Sequence, residues 1–535
     1  MKSGLAEKLA RPFIHSKLTL LLMISFLAVG IYSFFLIPRE EEPQINVPMV
    51  DAFFMYPGAS AEEVESRISA PIEKVISNIK GVEYVYTTSM DESAMVIVQF
   101  YVGENTEESL VKLHNEINRN MDKMPYGVTP PLIKSRAIDD VPMMSLTLWS
   151  DNYDDFEIKR MAEELTDEIE KTQEVATTNV IGGRSREIKV IIDKEKMAGL
   201  NQDILTVVRG IQANNSAMNT GSIRQSDREF VVSTGSFLTS KEDIENLVID
   251  VANGAPIYLK QVATVIDGPQ ESDAYVSFAY GAGEGGKQIN HPGEHQAVTI
   301  SVSKKKGADA MLIAETIESK LESLQGRLIP GDVYIDVSRN YGQTASEKVS
   351  ELLMHLMGAI LAVTFVVMLA MGWRGGLVVF LSVPITFALT FFSYYFLDYT
   401  LNRITLFALV FVTGIVVDDS IIIAENMHRH FRLRKMSIKD AAIYAVNEVG
   451  NPTILATFTV IAAVLPMAFV SGMMGPYMSP MPIGASIAMI FSLLVAFTIT
   501  PYLAFYILNF RDSHADDEPF VLQESRLYRI YNKLA

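Results

Sequence analysis

The sequence predicts an α-helical membrane protein with six transmembrane helices and a large extracytoplasmic α+β region. Of the 535 residues, 49% are hydrophobic, and this excess lies in six long apolar runs rather than being spread evenly. The first run is separated from the other five by about three hundred residues that alternate in a strand–helix pattern. The net charge of −18 argues against a nucleic-acid-binding surface, and without cysteine the exported part must be held by packing alone.

The first apolar run (18–37) is twenty uncharged residues long. A cleavable signal peptide has an apolar region of only about 7–15 residues, followed by a cleavage site with small residues. This run ends instead in Pro38-Arg39-Glu40. We therefore expect residues 1–37 to form a cytoplasmic helix and an uncleaved first span.

Five further apolar runs are each close to the ~20 residues that cross the hydrocarbon core of a bilayer. Basic residues cluster before the first run and after the fourth, and Arg374 follows the second. With six spans these three segments lie on one side, which the positive charge assigns to the cytoplasm. The region from Pro38 to about Gln343 is then extracytoplasmic. The five runs are 353–372, 376–397, 404–425, 453–471 and 483–508.

The extracytoplasmic region is predicted to contain two copies of one α+β unit. The segment 43–131 follows the order strand, helix, strand, strand, helix, strand, which is that of a ferredoxin-like unit. Its first helix is expected to begin with a capping box formed by Ser60 and Glu63. The pattern starts again at Met143, and its second half comes only after an insertion.

This pattern divides the chain into six parts. The glycine-rich stretch 281–296 is predicted to be an exposed hairpin loop, and His291 and His295 within it are expected to be solvated rather than to bind a metal. The predicted parts are 1–37, the first helix and span; 38–137, the first unit; 138–183 with 271–340, the split second unit; 184–270, the inserted domain; 341–510, the five remaining spans; and 511–535, a truncated cytoplasmic linker helix.

Two adjacent carboxylates, Asp418 and Asp419, lie within the apolar fourth run. Each carboxylate at membrane depth costs about 2.5–3.5 kcal/mol on insertion scales, so a pair indicates function. Both side chains are expected to face a bundle interior or a wet cavity rather than lipid. Because adjacent carboxylates repel each other when both are ionised, the pair is suited to taking up and releasing protons. The alternative is a structural pair satisfied by nearby hydroxyls, such as those of Thr413, Ser420, Thr457 or Thr459.

The sequence lacks a cation that would complete such a relay. No lysine or arginine lies inside any of the six apolar runs, and His355 is the only basic residue within one. This deficiency points to a second chain or to a second half that supplies the positive charge.

The segment Gly414-Ile-Val-Val-Asp-Asp-Ser-Ile-Ile-Ile-Ala-Glu-Asn426 resembles the fourth-span motif of resistance–nodulation–division (RND) transporters. The resemblance covers essentially the whole chain. It implies that the two α+β units are porter subdomains and that the insertion at 184–270 is a docking subdomain. Further matching features are Pro384, Pro452, Leu465-Pro466-Met467-Ala468-Phe469, Thr500-Pro501, Tyr56-Pro-Gly-Ala59 and Glu63-Val-Glu65.

The resemblance implies a function as well. Members of this family are secondary transporters of the bacterial inner membrane that exchange amphiphilic compounds or drugs for protons, and they need no cofactor. Asp418 and Asp419 match the proton relay of that motif. The working form is a trimer that joins a periplasmic adaptor protein and an outer-membrane channel.

The adjacent aspartates also indicate the branch of the family. Drug exporters typically carry both aspartates, whereas metal exporters keep the second and have another acidic residue one and a half turns earlier, which is Thr413 here. Two alternatives stay open: a heavy-metal-type exporter, suggested by the 26 methionines, and an accessory subunit of the same fold. An intramembrane protease is disfavoured because adjacent residues on one helix cannot flank a scissile bond.

Family members are about twice as long as this chain and carry the relay lysine in their second half. We therefore expect the chain to act as an N-terminal half that pairs with a C-terminal half or with a second six-span chain. The tail Ser525–Lys533 resembles the amphipathic helix that leads into a seventh span, so a fragment, a split gene product and a half-size subunit are all open. No short motif identifies the substrate or the residues that bind it.

Overall fold

The computed structural model describes residues 4–508 except 46, 138–139, 226, 253, 285–286, 288–289 and 434–435. The predicted linker helix at 511–535 lies outside the described residues. Within the described part, six helices are long and apolar enough to cross a membrane, which confirms the predicted number of spans. The other elements form two α+β units, an inserted domain and a short N-terminal helix.

The chain begins with two helices, α1 (Leu5–Phe13) and α2 (Lys17–Leu36). The buried residues Ala6 and Ala10 lie on one face of α1. The Ser16 side chain accepts a hydrogen bond from an amide in the first turn of α2, which satisfies one of the free donors at that end. The amphipathic α1 is therefore separate from the apolar α2, which is the first candidate span.

The first α+β unit is a four-stranded antiparallel sheet covered by helices on one face. Ser60 and Glu63 form the predicted capping box at the start of α3. A π-helical turn at Glu65–Ser69 joins α3 to α4, and Ile72 and Ile76 pack against the sheet. The elements are β1 (Met49–Met55), α3 (Ala61–Val64), α4 (Ala70–Ile76), β2 (Val82–Met90), β3 (Ser93–Phe100), α5 (Thr106–Arg119) and β4 (Leu132–Arg136). The strand order is β2-β3-β1-β4.

The second unit begins like the first and is then interrupted by an inserted domain. Its first half is β5 (Met144–Trp149), α6 (Asp155–Glu170) and β6 (Val175–Ile181). The insert has a small core of its own around Val207 and Leu259. The elements of the insert are β7 (Arg186–Ile192), α7 (Lys194–Gly199), α8 (Ile204–Asn214), β8 (Met218–Gln225), β9 (Arg228–Thr234), α9 (Lys241–Glu245), β10 (Val248–Ala252), β11 (Ala255–Tyr258) and β12 (Ala263–Pro269).

The chain then returns to complete the second unit. The returning elements are β13 (Ser277–Phe278), β14 (His295–Lys304), α10 (Ala310–Leu324) and β15 (Tyr334–Asn340). Strand β14 pairs with both β5 and β6, and β15 pairs with the other edge of β5. The resulting order β6-β14-β5-β15 corresponds strand for strand to β2-β3-β1-β4, so the two units share one topology.

The remaining helices form the membrane-spanning part together with α2. Helices α12, α13 and α16 are mostly buried, whereas α2, α11 and α14 lie on the outside. The helices are α11 (Tyr341–Met371), α12 (Trp373–Phe396), α13 (Arg403–Leu433), α14 (Ile438–Val464), the short α15 (Met474–Met478) and α16 (Pro480–Leu508).

The second unit is attached directly to the membrane helices. Strand β15 ends at Asn340, whose side chain caps α11 by accepting from the amide of Gln343 at 2.9 Å. Helix α11 crosses α10 at Gly342, where a Cβ atom would lie 2.4 Å from the carbonyl oxygen of Ala310. Because the two backbones meet so closely, α10 and α11 are expected to move together.

The contact between α2 and α12 gives a test of the membrane packing. A Cβ atom on Gly30 would lie 2.3 Å from the Cβ of Ala388. Alanine favours a helix over glycine by about 1 kcal/mol, but overpacking costs about 1–3 kcal/mol. The steric clash should therefore outweigh the gain in helix propensity. We expect Gly30→Ala to lower the thermal unfolding midpoint of the detergent-solubilised chain. In Gly358→Ala the new Cβ meets no atom within 4 Å, and this control should be at least as stable as wild type. Equal midpoints for the two variants would contradict the packing.

Candidate functional site

The two adjacent aspartates of α13 lie in different environments. Asp419 is only 7% exposed and points towards α14 and α16. Asp418 is exposed on the outside of the six helices. Successive helical residues point about 100° apart, so one helix can bury one carboxylate and present the other. The expectation that both side chains face a bundle interior therefore holds for Asp419 but not for Asp418 within this chain.

The buried carboxylate has hydroxyl partners and no cation. The Thr457 hydroxyl on α14 lies 3.1 Å from Asp419 Oδ1 and 2.9 Å from the carbonyl oxygen of Thr453, and its one hydrogen can be donated to either. Ser492 on α16 also lies against Asp419, and its hydroxyl donates to the carbonyl of Val416 at 2.6 Å. Neither aspartate forms an ion pair with any residue among those that the structure describes. No described residue therefore supplies a fixed counter-charge to the carboxyl group of Asp419.

Only one of the predicted hydroxyl partners contacts an aspartate. Thr457 does so, whereas Thr413 donates to the carbonyl of Leu409 at 2.7 Å and Thr459 to that of Leu455 at 2.7 Å. All three hydroxyls lie within bonding distance of a carbonyl of their own helix, as threonine commonly does in membrane helices, and Thr457 alone also reaches a carboxylate.

A chain of three buried hydroxyls lies beside the aspartates. Thr500 Oγ1 on α16 is 3.2 Å from Ser420 Oγ on α13 and 3.0 Å from Ser382 Oγ on α12. All three residues are at most 2% exposed. Sequence reasoning did not identify Ser382 or Ser492, because each is a single hydroxyl in an apolar run and only the fold brings it to the site. The sequence feature that could have pointed to them is the recurrence of serine and threonine within the apolar spans.

Asp418 belongs to an exposed stripe along α13. Phe407, Phe411 and Ile422 are 48%, 52% and 39% exposed, and a Cβ built on Gly414 meets no atom within 4 Å. These residues recur every three or four positions and so share one helix face with Asp418. A carboxylate on a face otherwise suited to lipid is costly, so this stripe calls for a covering partner.

Both ends of α13 are held by ion pairs. At its first residue, Arg403 Nη2 is 3.2 Å from Glu41 Oε1 and Nη1 is 3.4 Å from Glu42 Oε1. At the other end, Glu448 on α14 accepts from Arg429 and His430, each at 2.8 Å. The helix that carries the aspartates is thus tied to the segment after α2 at one end and to α14 at the other.

The histidine pair of the 281–296 loop is not simply solvated. His295 is 8% exposed in its side chain, and its Nδ1 is 2.7 Å from Asp151 Oδ1. Its ring lies 4.5 Å from that of the fully buried Trp149, and His291 lies against the same tryptophan at 5.1 Å. The prediction of a solvated His295 was therefore wrong, because aromatic packing buries it. No group of three or more His, Asp or Glu side chains suited to a metal ion is found within the described ranges.

These features define a multi-pass membrane protein with a buried and an exposed carboxylate on its fourth spanning helix and two α+β units of one topology. The sequence model of the AcrB/AcrD/AcrF family matches residues 9–535, and the chain belongs to this family of RND permeases. The predicted family is thereby confirmed.

Two similar proteins share one name. The Multidrug resistance protein MdtC of Pectobacterium atrosepticum is 26% identical over 501 residues, which cover 93% of this chain and 47% of that protein. The protein of that name from Yersinia enterocolitica is 26% identical over 502 residues, with the same two coverages of 93% and 47%. The chain thus spans about half the length of the curated relatives it matches.

The hydroxyl chain gives a second test. Thr500→Val keeps the shape of the side chain but removes the hydroxyl that joins Ser382 to Ser420. A buried polar group left without its partner costs about 1–3 kcal/mol, so we expect a lower thermal unfolding midpoint. The control Thr459→Val removes an exposed hydroxyl that bonds only to its own helix, and it should unfold like wild type. The hydroxyl chain has no energetic role if the two variants unfold alike.

Proposed function

We propose that this chain is one half of a proton-driven exporter and that Asp418 and Asp419 form its proton relay. The observation that carries the proposal is the burial of Asp419, which is 7% exposed in a membrane helix and contacts hydroxyls instead of a cation. Desolvation disfavours an ionised carboxylate there, and a nearby positive charge would favour it. A cation that approaches and withdraws would therefore switch the protonation of Asp419.

The cation is proposed to come from a second six-span half. The exposed stripe of α13 places Asp418 where a partner helix can cover it. On the same face, Phe411 offers that helix an apolar contact, and Gly414 has no side chain and so allows a close approach. The partner would supply a lysine opposite the two aspartates, as the family resemblance implies. Protonation would then change the attraction between α13 and the partner helix.

Movement of α13 is proposed to reach the extracytoplasmic units through fixed contacts. Leu401, which precedes α13, exchanges backbone hydrogen bonds with Pro38 and Glu40, and the amide of Arg39 donates to Asp309 Oδ2 at 3.0 Å. Asp309 in turn caps α10 of the second unit. A shift of α13 would therefore pull on α10 and on the sheet that α10 covers.

The two α+β units are proposed to be ferredoxin-like porter subdomains. The shared strand order and the placement of one helix pair on each sheet support this assignment. The insert is proposed to be the docking subdomain, since residues 218–224 and 228–234 of the β8–β9 hairpin are exposed and include apolar side chains such as Phe230 and Val231. An exposed apolar hairpin fits contact with another subunit in a trimer. An adaptor protein and an outer-membrane channel complete the proposed assembly.

The proposed substrates are amphiphilic compounds or drugs, moved across the bacterial inner membrane. The name of the similar MdtC proteins, multidrug resistance protein, supports this substrate class. The basic residues around α1 and at the end of α13 support a cytoplasmic location for those ends and a periplasmic location for the α+β units.

The proton relay is tested by removing one charge. The chain and a second six-span half are reconstituted together in vesicles with an imposed pH gradient, and export of a fluorescent amphiphile is measured. We expect Asp419→Asn to reduce proton-coupled export to background, because an amide cannot take up and release the proton. The control Asp398→Asn makes the same chemical change in the loop before α13 and should keep wild-type export. Undiminished proton-coupled export by Asp419→Asn would refute the relay.

A further inference from the structure

A cavity of about 420 Å³ lies between α1, α2, α14 and α16. Leucine, isoleucine and phenylalanine side chains make up nearly all of its lining, including Leu9, Phe26 and Leu494. Two threonines, Thr19 and Thr498, also line it, but their hydroxyls donate to main-chain carbonyls at 2.7 and 2.6 Å. The lining therefore offers no free polar group to a ligand, and an apolar chain is the chemistry that fits.

The walls of this cavity are held in place. The amide of Gly4 donates to Asn447 Oδ1 on α14 at 3.1 Å. Two residues further along α1, Ala6 lies so close to Gly450 that a Cβ on Gly450 would be 2.3 Å from the Cβ of Ala6. Because α1 is fixed to α14 in this way, the cavity exists before a ligand arrives. A preformed site loses less conformational freedom on binding than a surface that must first be ordered.

The depth of the cavity matches one leaflet of a bilayer. Along α16 its lining runs from Ile490 to Ile499, and nine helical steps of ~1.5 Å span roughly 14 Å. The hydrocarbon core of a bilayer is ~30 Å thick, so this length is about half of it. The α1 end lies at the membrane interface, since α1 is amphipathic and directly precedes the spanning α2. The cavity therefore extends from that interface to the middle of the membrane.

The interfacial end is positively charged. Lys8 and Lys17 are exposed there, on and just after α1. Lys439 also lies near this end: the pKa of His15 is held below its ordinary value first by burial and second by the positive charge of Lys439. Basic residues beside a membrane helix on the cytoplasmic side favour anionic lipid headgroups.

We propose that this cavity binds one acyl chain of an anionic phospholipid from the leaflet on the α1 side, with the headgroup beside Lys8 and Lys17. The volume, the apolar lining and the depth of the cavity fit an acyl chain, and the basic residues at its end fit an anionic headgroup. Such a lipid would fasten α1 to the two spans α2 and α16. The proposal does not depend on the direction or substrate of transport.

The test is lipid retention by the full chain. Wild type and variants are purified in a mild detergent from membranes that contain phosphatidylglycerol and phosphatidylethanolamine, and the phospholipid that remains per chain is measured by mass spectrometry. Leu494→Trp fills the cavity, and we expect this variant to retain one phospholipid fewer per chain than wild type, because the cavity holds a single acyl chain. The control Leu361→Trp makes the same change at an exposed position of α11 outside the cavity, and it should retain as much lipid as wild type.

Two further variants identify the headgroup and the occupant. Lys8→Gln with Lys17→Gln should lower the ratio of retained phosphatidylglycerol to phosphatidylethanolamine, and an unchanged ratio would refute the anionic headgroup. Removal of residues 509–535 should leave retention unchanged. If Leu494→Trp and wild type retain the same amount of lipid, the proposal is wrong. A rise in retention after removal of 509–535 would instead assign the cavity to that segment, which also overturns the proposal.

Discussion

Burial of one carboxylate inside a bundle of apolar helices is the constraint on which the rest of the membrane part depends. Asp419 is 7% exposed, and hydroxyl groups of α14 and α16 lie against it. A carboxylate in such a place is costly unless it is protonated or paired. The surrounding helices reduce this cost with Thr457 and Ser492 and leave the charge itself uncompensated. In the proposed relay, this incomplete compensation would allow an approaching cation to switch the protonation state.

The architecture around α13 fits a switch of this kind. The aspartates lie about sixteen residues from Arg403, which at ~1.5 Å per residue is roughly 24 Å along a continuous helix. At that end the helix is tied by its preceding loop to the segment that leaves α2 and, through Asp309, to α10. A rigid helix held at both ends passes a displacement at its centre to the elements attached to it. The close contact of α10 and α11 at Gly342 extends the same connection to a second spanning helix.

Much of the fold was predictable because it follows from simple periodicity. The six spans follow from the length of apolar runs, and the start of α3 follows from the capping box of Ser60 and Glu63. The repeated α+β order was visible as well, although the pairing of β14 with β5 and β6 joins strands separated by more than a hundred residues. That pairing depends on long-range packing, which a local pattern does not encode.

The site was predictable only in part. Asp418 and Asp419 are conspicuous because charge is rare in an apolar helix. The direction in which each points was not predictable, since it depends on which face of α13 meets α16. Ser382 and Thr500 come from helices far apart in sequence, and their hydroxyls meet only after packing. His295 was misjudged for a related reason: its glycine-rich surroundings suggested solvent, whereas Trp149 and Asp151 hold it in a buried position.

The central claim is that the exposed stripe of α13 is covered by a second six-span half. The chain contains no cysteine, so Phe411→Cys gives a single site for a nitroxide spin label on this stripe, and Leu361→Cys gives one on the outside of α11. Accessibility of each label to oxygen, which concentrates in lipid, is measured in vesicles with and without the second half. The account predicts that the second half shields the label at position 411 and leaves the label at position 361 accessible. A label at 411 that stays equally accessible in both samples would contradict it.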